Sequence, residues 1–276
     1  MSQKLNRSLR VRQRVGKYRI EKRLGEGGFA RVYQAMDTIQ GIRVALKVPH
    51  APLVTEEVLS DFRKEARTTS KLDHQNILPI KDASFIDERF VIVFPLGERT
   101  LDDRMKRRMT VEYSLSVIEQ ILEAVAYAHR RKIIHCDIKP ENVILFSDGR
   151  VRLTDFGIAK VAQKTLRGSG TGTVGFMAPE QAMGKPLLRS DVFSTGLLMY
   201  RLMSGKWPEW PYEWPGPGYQ RLRATAHPDL IAVIRKATEF APRKRFKDGN
   251  QLLNAFLRAK PKMLRRVRQK KRKRAA

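Results

Sequence analysis

One cysteine, Cys136, occurs in 276 residues. That excludes an intramolecular disulfide and a cysteine-based zinc site, and it fits a reducing compartment. No run of about 18 or more apolar residues is present, so no membrane-spanning helix is expected. Residues 1–17 hold six Lys/Arg and no apolar core, unlike a secretory signal. Position 2 is Ser2 and not the glycine that N-myristoylation requires. No internal repeat is visible. The expected location is cytoplasmic, or nuclear if the host cell has a nucleus. Acid is missing from both ends, since residues 258–276 carry eleven Lys/Arg and neither end holds Asp or Glu.

Hydrophobic residues make up 42% of the chain, enough for a buried core in one large domain or two lobes. The net charge is +27, and removing the seventeen cations of the two ends leaves a body of about +10. From residue 18 to about 94 the pattern predicts strands around one helix: residues 18–24, 31–35, 42–48, 77–85 and 89–94 as strands. Residues 55–72 read as the helix, with Thr55 as N-cap and Glu56 and Glu57 in its first turn. Beyond Gly97 the periodicity becomes helical. Residues 110–131 place Leu115, Ile118, Ile121, Leu122 and Val125 on one side, and further helices are expected over 190–204, 228–240 and 248–257. The expected fold class is α+β, with a small antiparallel β-sheet lobe carrying one helix and a larger, mainly helical lobe. A cleft would lie where they join, near 94–97.

Three stretches carry chemistry. The first, Leu24-Gly25-Glu26-Gly27-Gly28-Phe29-Ala30-Arg31-Val32, puts glycines between two strands, where backbone N–H groups can approach phosphate oxygens. Taken alone it reads as an ordinary glycine-rich hairpin. It lacks the Gly-Lys-Ser/Thr of a Walker-type loop, and its strand-loop-strand context argues against a dinucleotide fold. In the second, Val44-Ala45-Leu46-Lys47, strand alternation puts Ala45 and Lys47 on one face. Glu65, three residues after Phe62 and four before Thr69, turns toward the apolar side of its helix. A carboxylate angled inward needs a cation, which makes Lys47 its expected partner. The third is His135-Cys136-Asp137-Ile138-Lys139-Pro140-Glu141-Asn142, followed by Asp155-Phe156-Gly157. It gathers two carboxylates, a lysine and an amide, the set needed to hold a nucleotide's phosphates, metal ions and an acceptor hydroxyl. Any one of these residues alone would suit a capped turn.

In this order and spacing, the motifs resemble those of eukaryotic-type Ser/Thr protein kinases over roughly residues 18–258. The resemblance implies a protein kinase domain at 18–258, with lobes of about 18–96 and 97–258, a basic extension at 1–17 and a basic tail at 259–276. It implies Asp137 as catalytic base and Lys139 as stabiliser of the transferring phosphoryl group, a lysine that also marks Ser/Thr over Tyr specificity. Asn142 and Asp155 would be ligands of Mg²⁺ or Mn²⁺. ATP would be held by residues 24–32, Ala45, Lys47 and Glu65. The backbone of Phe94 to Leu96 would bond the adenine, with Val32, Ala45 and Ile144 against it and Val93 behind. Residues 172–180, Gly-Thr-Val-Gly-Phe-Met-Ala-Pro-Glu, resemble the end of an activation segment. There Thr173 would meet the catalytic loop, Glu180 would pair with Arg245, and Asp191 with Gly196 would anchor the loop. The partner implied is a protein with a Ser/Thr acceptor.

Cys136 departs from the family, which has arginine there to receive an activation-segment phosphate. Cysteine cannot form that bidentate pair. Weak dependence on phosphorylation of Thr165, Ser169 or Thr171 is therefore expected, with Cys136 itself a buried inert thiol. All three tryptophans fall in 207–218, either packed internally or forming a patch for a partner. The tail is expected to be disordered when free. Its charge favours polyanions, namely nucleic acid, anionic lipid or acidic protein, without sequence-specific readout because no aromatics are interleaved. The alternatives to a kinase are a pseudokinase or scaffold acting through the tails and tryptophans, and a small-molecule kinase of related fold. Retention of Lys47, Glu65, Asp137, Lys139, Asn142 and Asp155 opposes the first. Lys139 and the Ala178-Pro179-Glu180 segment oppose the second.

Overall fold

Alternation rich in valine and isoleucine builds the sheet of the first unit. In the computed structural model, which describes residues 8–28, 30–50, 55–156, 174–209 and 212–275, that unit spans Met1–Asp73 and Leu78–Glu98. Its strands are β1 (Arg14–Val15), β2 (Tyr18–Glu26), β3 (Ala30–Asp37), β4 (Ile42–Pro49), β5 (Asp82–Ile86) and β6 (Arg89–Pro95). They form one antiparallel sheet in the order β1-β2-β3-β4-β6-β5. Val44, Leu46 and Val48 of β4 join Tyr18, Ile20, Tyr33, Val91 and Val93 in its core, which leaves Ala45 and Lys47 on the opposite face. Helix α1 (Glu56–Thr69) begins where the Thr55 hydroxyl accepts the Val58 N–H at 3.3 Å.

The strand expected over 77–85 is shorter than its apolar run. Pro79 has no N–H for a ladder, and Ile77 makes a single parallel bridge to Leu153 within the second unit.

The second unit, His74–Ile77 with Arg99–Ala276, is mostly helical. It contains β7 (Arg99–Thr100), α2 (Leu101–Met105), α3 (Val111–Arg130), β8 (Val143–Leu145), β9 (Val151–Leu153), α4 (Pro179–Ala182), α5 (Leu188–Ser204), α6 (Tyr219–Thr225), α7 (Pro228–Ala237) and α8 (Gly249–Ala275). Strands β7, β8 and β9 make a small antiparallel sheet. The core joins Leu115, Ile118 and Leu122 of α3 to Met199 and Tyr200 of α5, Leu230 and Ile234 of α7, and Phe256 of α8. Gly196 permits the close packing of α5: a Cβ there would lie 2.8 Å from Ala237 Cβ and 2.9 Å from Thr238 Cγ2.

The basic tail is not disordered in this structure, contrary to expectation. Helix α8 runs through Pro261 to Ala275. Met263 is fully buried, with Leu264 and Val267 packed against the same core. These side chains continue the apolar stripe of Leu252, Phe256 and Ala259. Lysines on the flanks of the helix tie it to the body through Glu119, Asp229 and Glu112. Pro261 sits on the exposed side, as does Leu257, whose carbonyl it leaves without an amide partner.

Candidate active site

A single buried carboxylate suspends the loop that carries the reactive groups. Asp191, on α5, accepts the backbone N–H groups of His135 and Cys136 at 2.7 and 2.8 Å. It also lies 2.9 Å from His129 Nε2 at the end of α3. The Gly249 N–H donates to His129 Nδ1 at 2.8 Å, so the imidazole proton is on Nε2 and points at Asp191. The start of α8, the end of α3 and the loop are thus joined by one buried chain of hydrogen bonds. Gly249 allows the approach, because a Cβ there would lie 2.9 Å from Val125 Cγ1 and 3.0 Å from Ala126 N.

Cys136 adopts a left-handed backbone, φ +66°, unusual for a residue other than glycine. Its carbonyl accepts Gln181 Nε2 at 2.5 Å, so both its N–H and its C=O are fixed by side chains from elsewhere in the unit. His135 accepts the Asp137 N–H on Nδ1 at 3.2 Å and donates from Nε2 to the Thr154 carbonyl at 2.8 Å. Its ring lies 4.5 Å from that of Phe156, which is fully buried.

Beyond the anchor, a short 3₁₀ turn at Pro140–Asn142, started by a proline that supplies the right φ, folds Asn142 back on Asp137. Asn142 Nδ2 donates to the Asp137 carbonyl at 2.9 Å and to Asp137 Oδ2 at 2.8 Å. Lys139 Nζ reaches the same Oδ2 at 2.9 Å. No described residue donates to Oδ1, and the Asp137 side chain keeps 37% of its exposure, so one carboxylate oxygen remains open to a ligand. Both bonds from the Asn142 amide nitrogen go to Asp137, which leaves its oxygen for a cation. Asp155 leaves β9 beside it: Val143 pairs with Leu153, and the Thr154 N–H bonds the Asn142 carbonyl at 2.9 Å. Asp155 also has positive φ, +66°.

Among the described residues no three His, Cys, Asp or Glu side chains gather as a metal cluster. One amide and one carboxylate oxygen are the hard donors a divalent cation takes when phosphate oxygens and water supply its other ligands.

In the first unit, Lys47 Nζ and Glu65 Oε1 are 2.8 Å apart, with side chains 8% and 2% exposed. Lys47 lies on β4 opposite Val32 and Ile92, and Ala45 opposite Gln34 and Phe94. Leu24, Gly25 and Glu26 end β2, and Ala30, Arg31 and Val32 begin β3. Between them the Gly27 N–H bonds the Ala30 carbonyl at 2.9 Å, and the Gly27 carbonyl lies 2.7 Å from His50 Nε2. Arg31 Nε donates to Glu26 at 2.8 Å, a bond that holds the Glu26 carboxyl below its usual range. Phe94 is buried in β6, and Leu96 follows that strand. Ile144 is in β8 of the second unit. Phe29, Gly157, Thr165, Ser169, Thr171, Gly172 and Thr173 lie outside the described residues.

Arg245 and Glu180 form a two-pronged ion pair, at 2.7 and 3.1 Å, under a fully covered guanidinium. Burial lowers the Arg245 pKa, and the bond to Glu180 opposes that shift. The tryptophans described pack internally: Trp207 edge-on to Phe176 at 4.5 Å, and Trp214 against Tyr200 and Tyr219. Trp210 lies outside the described residues. The sequence reading missed His129 and Gln181. His129 had a signal, since it extends the buried stripe of Leu115, Ile118, Leu122 and Val125 by one more turn. A polar residue on that stripe needs an internal partner.

The family model for the protein kinase domain matches residues 18–265. Serine/threonine-protein kinase PknA of Mycobacterium tuberculosis is 34% identical over 266 residues, covering 87% of this chain and 60% of PknA. Serine/threonine-protein kinase PrkC of Bacillus subtilis is 35% identical over 201 residues, covering 70% of this chain and 31% of PrkC. The chain therefore spans between about a third and three-fifths of the length of these curated relatives. The crystal structure of the M. tuberculosis PknI kinase domain shares the fold, with a TM-score of 0.72 at 24% identity over 91% of this chain and all of that one.

Proposed function

The chain belongs to the protein kinase family, and we propose that it is a serine/threonine protein kinase that phosphorylates protein hydroxyls with ATP. What carries the reading is the state of Asp137: Lys139 and Asn142 occupy one carboxylate oxygen, and the other is open. Asp137 Oδ1 would accept the proton of the acceptor hydroxyl as its oxygen bonds to the γ-phosphorus. The bond from phosphorus to the β,γ-bridging oxygen breaks, and ADP leaves. Lys139 would move from the carboxylate to the developing phosphoryl charge. Its reach to Oδ2 in this structure supports that role. Asn142 and Asp155 would hold Mg²⁺ or Mn²⁺, which offsets phosphate charge when bound.

Both units hold residues that the resemblance assigns to ATP. In the first, the backbone of residues 24–32 would lie against phosphates and Lys47, set by Glu65, would reach them. Ala45 and Val32 would meet the adenine, with Phe94 to Leu96 bonding its edge. In the second, Ile144 would add an apolar contact. Asp191, Glu180 and Arg245 act as scaffold. The kinase domain would occupy 18–258, although α8 runs on past that boundary.

Cys136 belongs to the same reading. Its backbone is already fixed by Asp191 and Gln181 and its thiol cannot grip a phosphate, which supports a loop held in place without phosphorylation. A polyanionic partner for the basic ends also belongs here, supported by their charge. The reading is tested by incubating the protein with labelled ATP, Mg²⁺ and a basic protein acceptor, then hydrolysing the product. Label on phosphoserine or phosphothreonine is expected, and label on phosphotyrosine alone would contradict the Ser/Thr assignment.

A further inference from the structure

Helix α8 carries more positive charge than its packing uses. Its inner face runs through Leu252, Phe256, Ala259 and Met263, all buried. Four of its five lysines are engaged: Lys260 with Glu119, Lys262 with Asp229, Lys271 with Glu112 and Lys270 with the Ala224 carbonyl. At 3.6 residues per turn, Arg258, Arg265, Arg268 and Arg272 fall on the opposite side within an arc of about 80°, along about 21 Å of helix. All four are exposed. None has a carboxylate partner among the described residues, and the helix contains no Asp or Glu.

Such a ridge repels itself until an anion lies along it. A guanidinium fork matches phosphate oxygens two at a time. A lipid surface is the poorer fit, because surface-lying helices insert apolar side chains. Here the one large exposed apolar side chain among the described residues of α8, Leu257, stands at the ridge's start. A protein partner is also the poorer fit, since such interfaces rest on buried aromatic or apolar anchors that the ridge lacks. Single strands bind by stacking on aromatic rings, and no ring lies on α8 between Arg258 and Arg272. From this we infer that the outer ridge of α8 binds duplex nucleic acid through its phosphates, without base-sequence preference. The inference stands apart from phosphoryl transfer and is tested without ATP.

The experiment measures anisotropy of a labelled random-sequence DNA duplex, and of the matching RNA duplex, with the full chain across a salt series. A set with Arg258, Arg265, Arg268 and Arg272 all changed to Gln is compared with a set changing Arg99, Arg107, Arg108 and Arg235, exposed arginines outside both basic ends, to Gln. Each neutralised phosphate contributes about 0.9 to the slope of log affinity against log salt. The ridge set is expected to lose about 3 to 4 from that slope and at least about tenfold in affinity, while the control set keeps most of both. Changing the four ridge arginines to Lys should keep the slope, which separates lost charge from a lost helix. No duplex binding by the unaltered chain overturns the proposal, as do equal losses in the ridge and control sets. Ridge-dependent binding to anionic phosphatidylserine vesicles without duplex binding overturns it in favour of a membrane surface.

Discussion

Asp191 and His129 meet in a buried hydrogen bond of 2.9 Å, and each is also bonded to a part of the chain far away in sequence. Asp191 holds the backbone of the loop that carries Asp137, and His129 holds the first turn of α8. The reactive loop is therefore positioned from behind by helices that contribute no reacting group.

Asp191→Ala leaves three donors without their acceptor, two of them buried and the Cys136 N–H half-buried, and an unsatisfied buried donor costs about 1–3 kcal/mol. A loss of about 3 kcal/mol or more in urea unfolding is expected, together with a fall in phosphotransfer. Gly249→Val forces a side chain against Val125 and Ala126, and overpacking of that kind costs about 1–3 kcal/mol. Unaltered stability in either variant would remove the anchoring role.

Lys47 and Glu65 form a pair with little exposure, and breaking such a pair costs more than replacing both members by apolar groups. Lys47→Met and Glu65→Leu should each destabilise the protein. The double variant should lose less than the sum of the singles by about 1 kcal/mol or more. Strict additivity in urea unfolding would show that the two charges are not coupled.

The docking of α8 should depend on pH. Hydrogen bonds from Lys271 to Glu112 and from Lys262 to Asp229 lower the pKa of both carboxyls below their ordinary values. Folded pKa values below the unfolded ones mean that this stabilisation is complete above the ordinary carboxylate range, about 4 to 4.5, and is lost as pH falls through the lowered values. Because both carboxyls keep about two-fifths of their exposure, the effect is small and screened by salt. Urea midpoints followed from neutral pH down to about 3 should show this loss, and a Glu112→Gln/Asp229→Asn variant should lose that part of it. An identical pH profile for the two proteins contradicts the account.

Much of the first unit was legible in its residues. Thr55 announces α1 because its side chain can cap the helix, and the alternation of Val44, Leu46 and Val48 fixes the face on which Lys47 lies. Asp137, Lys139, Asn142 and Asp155 were legible as a group because a tight turn and a short hairpin bring them together locally. The continuation of α8 was not. Pro261 and the lysine-rich run hid an apolar stripe of only Met263, Leu264 and Val267, and propensity alone could not show that a core waited for it. The bond from Gly249 to His129 spans 120 positions and has no local signature. The strand expected over 77–85 begins only at Asp82, because Ile77 and Leu78 are apolar for burial and Pro79 has no N–H for a ladder.

Cys136 leads to a prediction about control. If Asp191 and Gln181 hold its backbone in place of a phosphate-bound arginine, phosphatase-treated and untreated protein should phosphorylate an acceptor at similar rates. A loss of about 100-fold or more on dephosphorylation, roughly 2.7 kcal/mol on the barrier, contradicts this.

The central claim rests on the open oxygen of Asp137, and Asp137→Asn tests it most directly. The amide keeps the size of the side chain but cannot take a proton from the acceptor hydroxyl. With labelled ATP, Mg²⁺ and a basic protein acceptor, the unaltered protein should transfer phosphate, and the variant should fall by about 10²- to 10⁴-fold while keeping its unfolding midpoint. Equal labelling by the two proteins, or none by either, would contradict the account.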